Sequence, residues 1–171
     1  MFDNQIKLYG KHSEILKKYS REKGSQTDVI FRINNNDNVP KDIYLFENYL
    51  SCYMCAAMLG IVYDRKADMD NNRALYATIF YEKIRANKHL LDRIYQHMVL
   101  TKCSDESIDG AIKKAFSPVV DTNEKTYEEL FDSYVRGGLE LLDEKFGNSE
   151  SYEDIANNIY SLKEMFENDE F

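Results

Sequence analysis

The stretch from Lys41 to Leu59 limits what this chain can fold into more than any other. Placed on a helix, Tyr44/Leu45, Asn48/Tyr49, Cys52, Cys55/Ala56 and Leu59 make one face. Ile43, Phe46, Leu50, Tyr53, Met54, Ala57 and Met58 cover most of the remainder. A helix that is apolar nearly all round must be enclosed by other helices. The apolar run continues to Tyr63, but Glu47, Asn48, Ser51 and Gly60 interrupt it. Its unbroken part falls short of the ~20 residues that a bilayer span requires. The segment therefore reads as a buried central helix, with Gly60 placed to end it.

Turn-forming residues are scarce: the chain of 171 residues has 2 Pro and 7 Gly. A β-sandwich or barrel needs many more turns than that. Helical spacing recurs along most of the sequence. Residues 3–22 read as a first helix carrying Ile6, Tyr9, Ile15, Leu16 and Tyr19. Val29–Ile33 reads as a short strand or extended piece, 34–38 as a loop, and Pro40 suits the first turn of the central helix. A helix over 70–86 places Leu75, Ile79, Phe80 and Ile84 inward. Asn87 caps a further helix with Leu90, Leu91, Ile94, Tyr95 and Met98, unless the two run on as one. Ser104 caps 105–116, where Ile108, Ala111, Ile112, Ala115 and Phe116 repeat at helical spacing before Pro118. Thr126 and Glu129 have capping-box spacing and open a helix that Gly147 closes. Ser151 caps the last helix, with Tyr152, Ile155, Ala156, Ile159, Leu162 and Phe166 inward. The expectation is an all-α fold of six to seven helices packed around the buried central one, with residues 1–171 forming a single domain.

Charge is distributed unevenly. Residues 1–102 hold 16 Lys+Arg against 12 Asp+Glu, and residues 103–171 hold 6 against 18, which together give the net −8. Such a layout suits either solvated helix faces or a bipolar surface, one end for an anionic partner and the other for a basic one. The polar start at Asp3-Asn4-Gln5 and an odd set of cysteines, Cys52, Cys55 and Cys103, fit reduced thiols and a cytoplasmic location.

No residue set identifies a catalytic centre, a cofactor site or a metal site. Cys52-x-x-Cys55 falls within the central helix, where i and i+3 share a face, so both thiols read as small packing groups. Asp68-x-Asp70-x-Asn72 starts like a calcium loop, but Arg73 stands where Gly is needed and Ile79 where a bidentate Glu is needed. Asp64-Arg65-Lys66 resembles half of a nuclease motif without the sheet that usually carries one. His12, His89 and His97 lack metal spacing, yet Glu82, Arg85, His89, Arg93 and His97 run as one polar stripe. Tyr134-Val135-Arg136-Gly137-Gly138-Leu139 is the most unusual segment, because each mid-helix glycine costs about 1 kcal/mol relative to Ala. Gly138 lies on the inward stripe and suits close helix packing. Gly137 lies off it, which makes Arg136 and Gly137 candidates to receive a partner, with Arg85, His89, Arg93 and His97 as the second candidate surface.

Leu8-Tyr9-Gly10-Lys11-His12, Ala56-Ala57-Met58-Leu59-Gly60, Lys114-Ala115-Phe116 and Tyr134–Leu139, in this order, resemble small bacterial proteins encoded among phage-defence genes, including those associated with DNA phosphorothioation. The resemblance implies a role in a defence assembly and carries over no catalytic residue; the leading expectation is a non-enzymatic accessory subunit of such a system that binds a larger protein. The alternatives are a nucleic-acid-binding or DNA-mimicking protein and an enzyme with an unrecognised site. With Cys 3 in the chain, a thiol titration in denaturant is expected to find three free thiols and elemental analysis no stoichiometric metal. Stoichiometric zinc would assign Cys52 and Cys55 to a structural site instead.

Overall fold

The computed structural model describes residues 2–21, 32–34, 40–42, 44–102, 107–116 and 124–168. In chain order the elements are β1 (Ile6–Tyr9), α1 (Gly10–Tyr19), β2 (Arg32–Asn34), β3 (Pro40–Asp42), α2 (Tyr49–Val62), β4 (Tyr76–Ile79), α3 (Tyr81–Ala86), α4 (Lys88–Lys102), α5 (Ile108–Phe116), α6 (Glu124–Phe146) and α7 (Tyr152–Asn168). The fold is essentially all-α, with two small antiparallel ladders: β1 with β4, and β2 with β3.

The apolar circumference expected of the central segment belongs to α2. Leu50, Tyr53, Ala56, Ala57, Leu59 and Ile61 are buried on several sides of it. The helix starts later than expected, at Tyr49, because the Asn48 side chain accepts from Ser51 N at 2.9 Å and caps it there. Pro40 lies in β3 instead of opening the helix. Gly60 does not end α2, which continues to Val62.

The role of Gly60 is contact with α6. A methyl group on Gly60 would fall on the carbonyl oxygen of Tyr134, and one on Gly138 would fall on the carbonyl oxygen of Ala56. The two helices therefore meet backbone to backbone, closer than larger side chains allow. Val135, Leu139 and Leu142 of α6 complete the core around this contact.

The segment following α2 is bound along α6. Asp64 adopts the left-handed region with φ 49, and its carboxylate accepts from the Tyr134 hydroxyl at 2.7 Å. Ala67 N donates to Ser133 O at 3.0 Å, and Arg136 Nε donates to Ala67 O at 2.9 Å. Arg65 pairs with Glu144, and the Lys66 ammonium lies over the Tyr134 ring. The nuclease-like triplet Asp64-Arg65-Lys66 thus serves as a strap.

Several helix expectations are corrected. The first helix begins at Gly10, because Ile6–Tyr9 pairs with β4 in the register Ile6↔Ile79 to Tyr9↔Tyr76. Gly10 makes the strand-to-helix turn at φ +55, a conformation that favours glycine. The 70–86 helix is divided into β4 and α3; Ile79 and Ile84 are buried, whereas Leu75, just before β4, and Phe80, at the turn between β4 and α3, are exposed. Asn87 separates α3 from α4, its side-chain amide donating to Lys83 O at 3.0 Å. In α5 Ala111 and Ala115 are buried, and Ile112 and Phe116 face outward. Ser104 lies outside the described residues. The capping box at Thr126 and Glu129 falls inside α6, which already begins at Glu124. Ser151 does cap α7: Asp154 N donates to its hydroxyl at 3.1 Å, and Asp154 Oδ2 accepts from Ser151 N at 2.9 Å. That helix buries Ile155 and leaves Tyr152 and Ile159 exposed.

Gly60→Ala, Gly137→Ala and Gly138→Ala should each lower stability by about 1–3 kcal/mol through overpacking, against the gain that Ala brings to an exposed helix site. Leu50→Ala, at a residue 2% exposed, should lower it by about 2–5 kcal/mol. Chemical denaturation measures all four, and losses of a few tenths would contradict the packing described for α2.

Candidate functional site

Gly137 and Gly138 are both buried. A methyl group on Gly137 would collide with the carbonyl of Arg65, so the strap covers the position that the sequence assigned to a partner. Helix packing explains Gly138, and strap packing explains Gly137. Neither glycine offers backbone for an incoming chain. Arg136 is half-buried, tied through Nε to Ala67 O, and borders a cavity on the side of α6 that faces β1.

The second candidate surface stays on the outside. Arg85, His89 and Arg93 are exposed and His97 is half-buried. The break at Asn87 sets Arg85 on α3 apart from the other three, which follow at i, i+4 and i+8 along α4. Large apolar groups accompany them: Phe80 is 56% exposed, Tyr81 40%, Leu90 38% and Leu100 40%. Leu90, Arg93, His97 and Leu100 recur at helical spacing on one side of α4.

The cavity has a volume of about 220 Å³ and lies among β1 with the residues before it, α1, α2 and α6. Its walls include Asn4–Tyr9, His12, Tyr53, Asp70, Asp132 and Arg136. Asp70 lies at the start of α1, where Oδ2 accepts from Lys11 N at 2.9 Å and Oδ1 from Asn72 N at 2.9 Å. These hydrogen bonds, the one from Lys11 first, hold its carboxyl below the usual carboxylate range. The calcium-like triplet is therefore a turn that closes the α1 N-terminus. Among the described residues, no group of three or more His, Cys, Asp or Glu could hold a metal ion.

His12 is the feature that spacing did not reveal. Its side chain is 1% exposed and its Nε2 lies 3.1 Å from Glu140 Oε1. Burial drives the His12 pKa down, so the ring is neutral. Burial also acts to raise the Glu140 carboxyl, but hydrogen bonds from Lys11 and His12 outweigh it and keep Glu140 below its ordinary value. A carboxylate accepts, so Nε2 carries the ring proton and Nδ1 is left as an acceptor. That Nδ1 is buried and has no hydrogen-bond partner among the described residues.

Asp132 is a half-buried acid of the same cavity. Its Oδ1 accepts from the Tyr53 hydroxyl at 3.4 Å, and burial pushes its carboxyl up to about 6 despite Arg136 one turn along α6. The two thiols of α2 are also pushed up by burial, Cys52 to about 12 and Cys55 to about 11, so both are protonated packing groups at neutral pH. Cys103 lies outside the described residues.

The charge asymmetry is consumed in part between α1 and α6. Lys11 pairs with Glu140 at 2.7 Å, and Lys18 with Asp143 at 2.7 Å. The Tyr19 hydroxyl also donates to Asp143 at 2.7 Å.

The Asp132 shift sets a pH dependence. The folded chain keeps a proton on Asp132 up to about pH 6, whereas an ordinary carboxyl loses it near 3.8. The folded pKa is raised, so this stabilisation is complete below the unfolded pKa and is lost as pH rises through about 6. Asp132→Asn should therefore be more stable than the parent at pH 7–8, by on the order of 2–3 kcal/mol, with the difference gone near pH 4. Denaturant titrations at stepped pH test this; parallel profiles for the two proteins would contradict it.

No protein-family model, no curated protein and no solved structure matches this chain.

Proposed function

We propose that this chain is a non-enzymatic accessory subunit of a bacterial phage-defence system, binding a larger protein through the outer surface of α3 and α4. The observation that supports the binding surface is the exposure of Phe80, Tyr81, Leu90 and Leu100 among Arg85, His89 and Arg93. Apolar groups exposed together and rimmed by polar ones mark interaction sites. Tyr and Arg are also the residues that most often dominate interface energies. The assignment to phage defence rests on the resemblance of the Leu8–His12, Ala56–Gly60, Lys114–Phe116 and Tyr134–Leu139 segments. Cytoplasmic location belongs to the same reading; among the described residues no helix is long and apolar enough to cross a membrane.

Nucleic-acid binding is the less supported reading. Part of the positive charge in the first part of the chain is already engaged: Lys11, Lys18, Arg65, Lys88 and Lys102 each pair with a carboxylate. Such pairing reduces the number of phosphates that the surface could neutralise.

Affinity purification from native cells, with the neighbouring genes identified, tests the reading. A defence-gene product should co-purify with the parent chain. Phe80→Ala combined with Arg93→Glu should reduce its recovery by about tenfold or more, the loss of roughly 1.4 kcal/mol or more, without changing the thermal melt. Equal recovery with both proteins would remove this surface from the reading. Recovery of nucleic acid that falls steeply with salt would favour the alternative.

A further inference from the structure

We propose that this chain self-associates head to tail, the outer face of α7 in one copy docking on the outer face of α4 in the next. The contact uses the α3–α4 surface described above but does not depend on the larger partner assigned to it.

The α7 face is apolar and acidic. The helix packs on α6, and among the described residues Ile155 is its buried apolar side chain. Tyr152, Ala156 and Ile159 recur at i, i+4 and i+7 and are all exposed, Ile159 by 53%. Glu153, Tyr160 and Glu164 make the neighbouring exposed row, with Tyr160 at 67%. A surface helix ordinarily turns a polar side to water, so α7 carries an apolar stripe beyond the one that seats it. The helix has four carboxylates against one cation, Lys163, which is already engaged within the chain.

The α4 face is its complement. Leu90, Arg93, His97 and Leu100 line one side with His89 beside them, and no carboxylate stands in that row. Together α3 and α4 hold five Lys or Arg against two carboxylates, a net of +3 facing the −3 of α7. Lys88 and Lys102 are tied to Asp3 and Asp64, whereas Arg85 and Arg93 have no ion pair among the described residues. Both helices are about 20–25 Å long, so each can lie along the other over several turns.

Both faces stay exposed in one folded chain, so α7 does not cover its own α4. A second copy supplies the matching apolar groups and the opposite charge at once. Like faces repel: α7 on α7 sets acid against acid, and α4 on α4 sets Arg93 against Arg93. The contact is therefore heterologous and repeats into a ring or an open chain.

Sedimentation of the purified whole chain over a concentration series tests this. The mean mass should rise above that of the monomer with concentration and fall back at high salt, which screens exposed charges. Arg93→Glu with Leu100→Asp removes the α4 face, and Ile159→Asp with Tyr160→Ser removes the α7 face. Each double variant should melt as the parent does and remain monomeric alone. Mixed in equal amounts, the two should reach twice the monomer mass and no more, because one intact face of each kind remains. The single changes Arg93→Glu and Tyr160→Ser take their place if a double variant fails to fold. The α7 variant keeps the α3–α4 surface, so it should still recover the larger partner, which separates failure of this contact from failure of that reading. The proposal is overturned if the parent is monomeric at every concentration, if either variant associates as the parent does, or if the mixture stays monomeric.

Discussion

The architecture depends on the close approach of α2 and α6 at Gly60 and Gly138. Each glycine admits a carbonyl oxygen from the other helix, so the distance between the helices is fixed by backbone and not by side chains. The local loss in helix propensity, about 1 kcal/mol at each glycine, is offset by the apolar burial that the approach allows. Ala56, Leu59, Val135 and Leu139 all become inaccessible to solvent or nearly so. Because α2 is apolar on several sides, the same helix also supports α1 and α4.

This contact sets the geometry around it. With α6 held against α2, the strap from Asp64 to Ala67 lies over Gly137 and fixes Arg136 through Ala67 O. On another side of α6, Glu140 and Asp143 meet Lys11, His12, Lys18 and Tyr19 of α1. Gly10 then turns the chain from β1 into α1, and Asp70 closes the new helix end. The cavity is the space left between β1 and α6 once those attachments are made. The polarity of its walls follows from placing His12, Asp132 and Arg136 on elements fastened for structural reasons.

Periodicity carried the fold class, because apolar spacing on α2, α4 and α6 is long and regular. It did not carry β1 or β4. Four residues such as Ile6–Tyr9 fit a helical pattern as well as a strand, and only pairing with a segment some 70 residues away decides between them. The signal available was Gly10, whose positive φ stops a helix from running back through it. Boundaries failed where a side chain competed with the pattern, as Asn48 does by capping α2 seven residues after the expected start. The glycine pair was recognised as unusual, but its meaning depended on the carbonyls of Ala56 and Arg65, which no local reading supplies. His12 was legible only as a histidine without metal spacing. Its partner Glu140 is 128 residues away, and its isolation from solvent comes from tertiary packing.

The long separations have a kinetic side. Helical proteins usually fold fast because their contacts are local. Here the attachments of α6 reach back 70 residues to Asp64, 79 to Tyr53 and 128 to His12. Loop closure must therefore come before much of the core forms. On a ribosome adding roughly 5–20 residues per second, α2 emerges several seconds ahead of the helix that covers it. During that interval an apolar cylinder lacks its main neighbour, and the interval is one in which a chaperone has reason to bind.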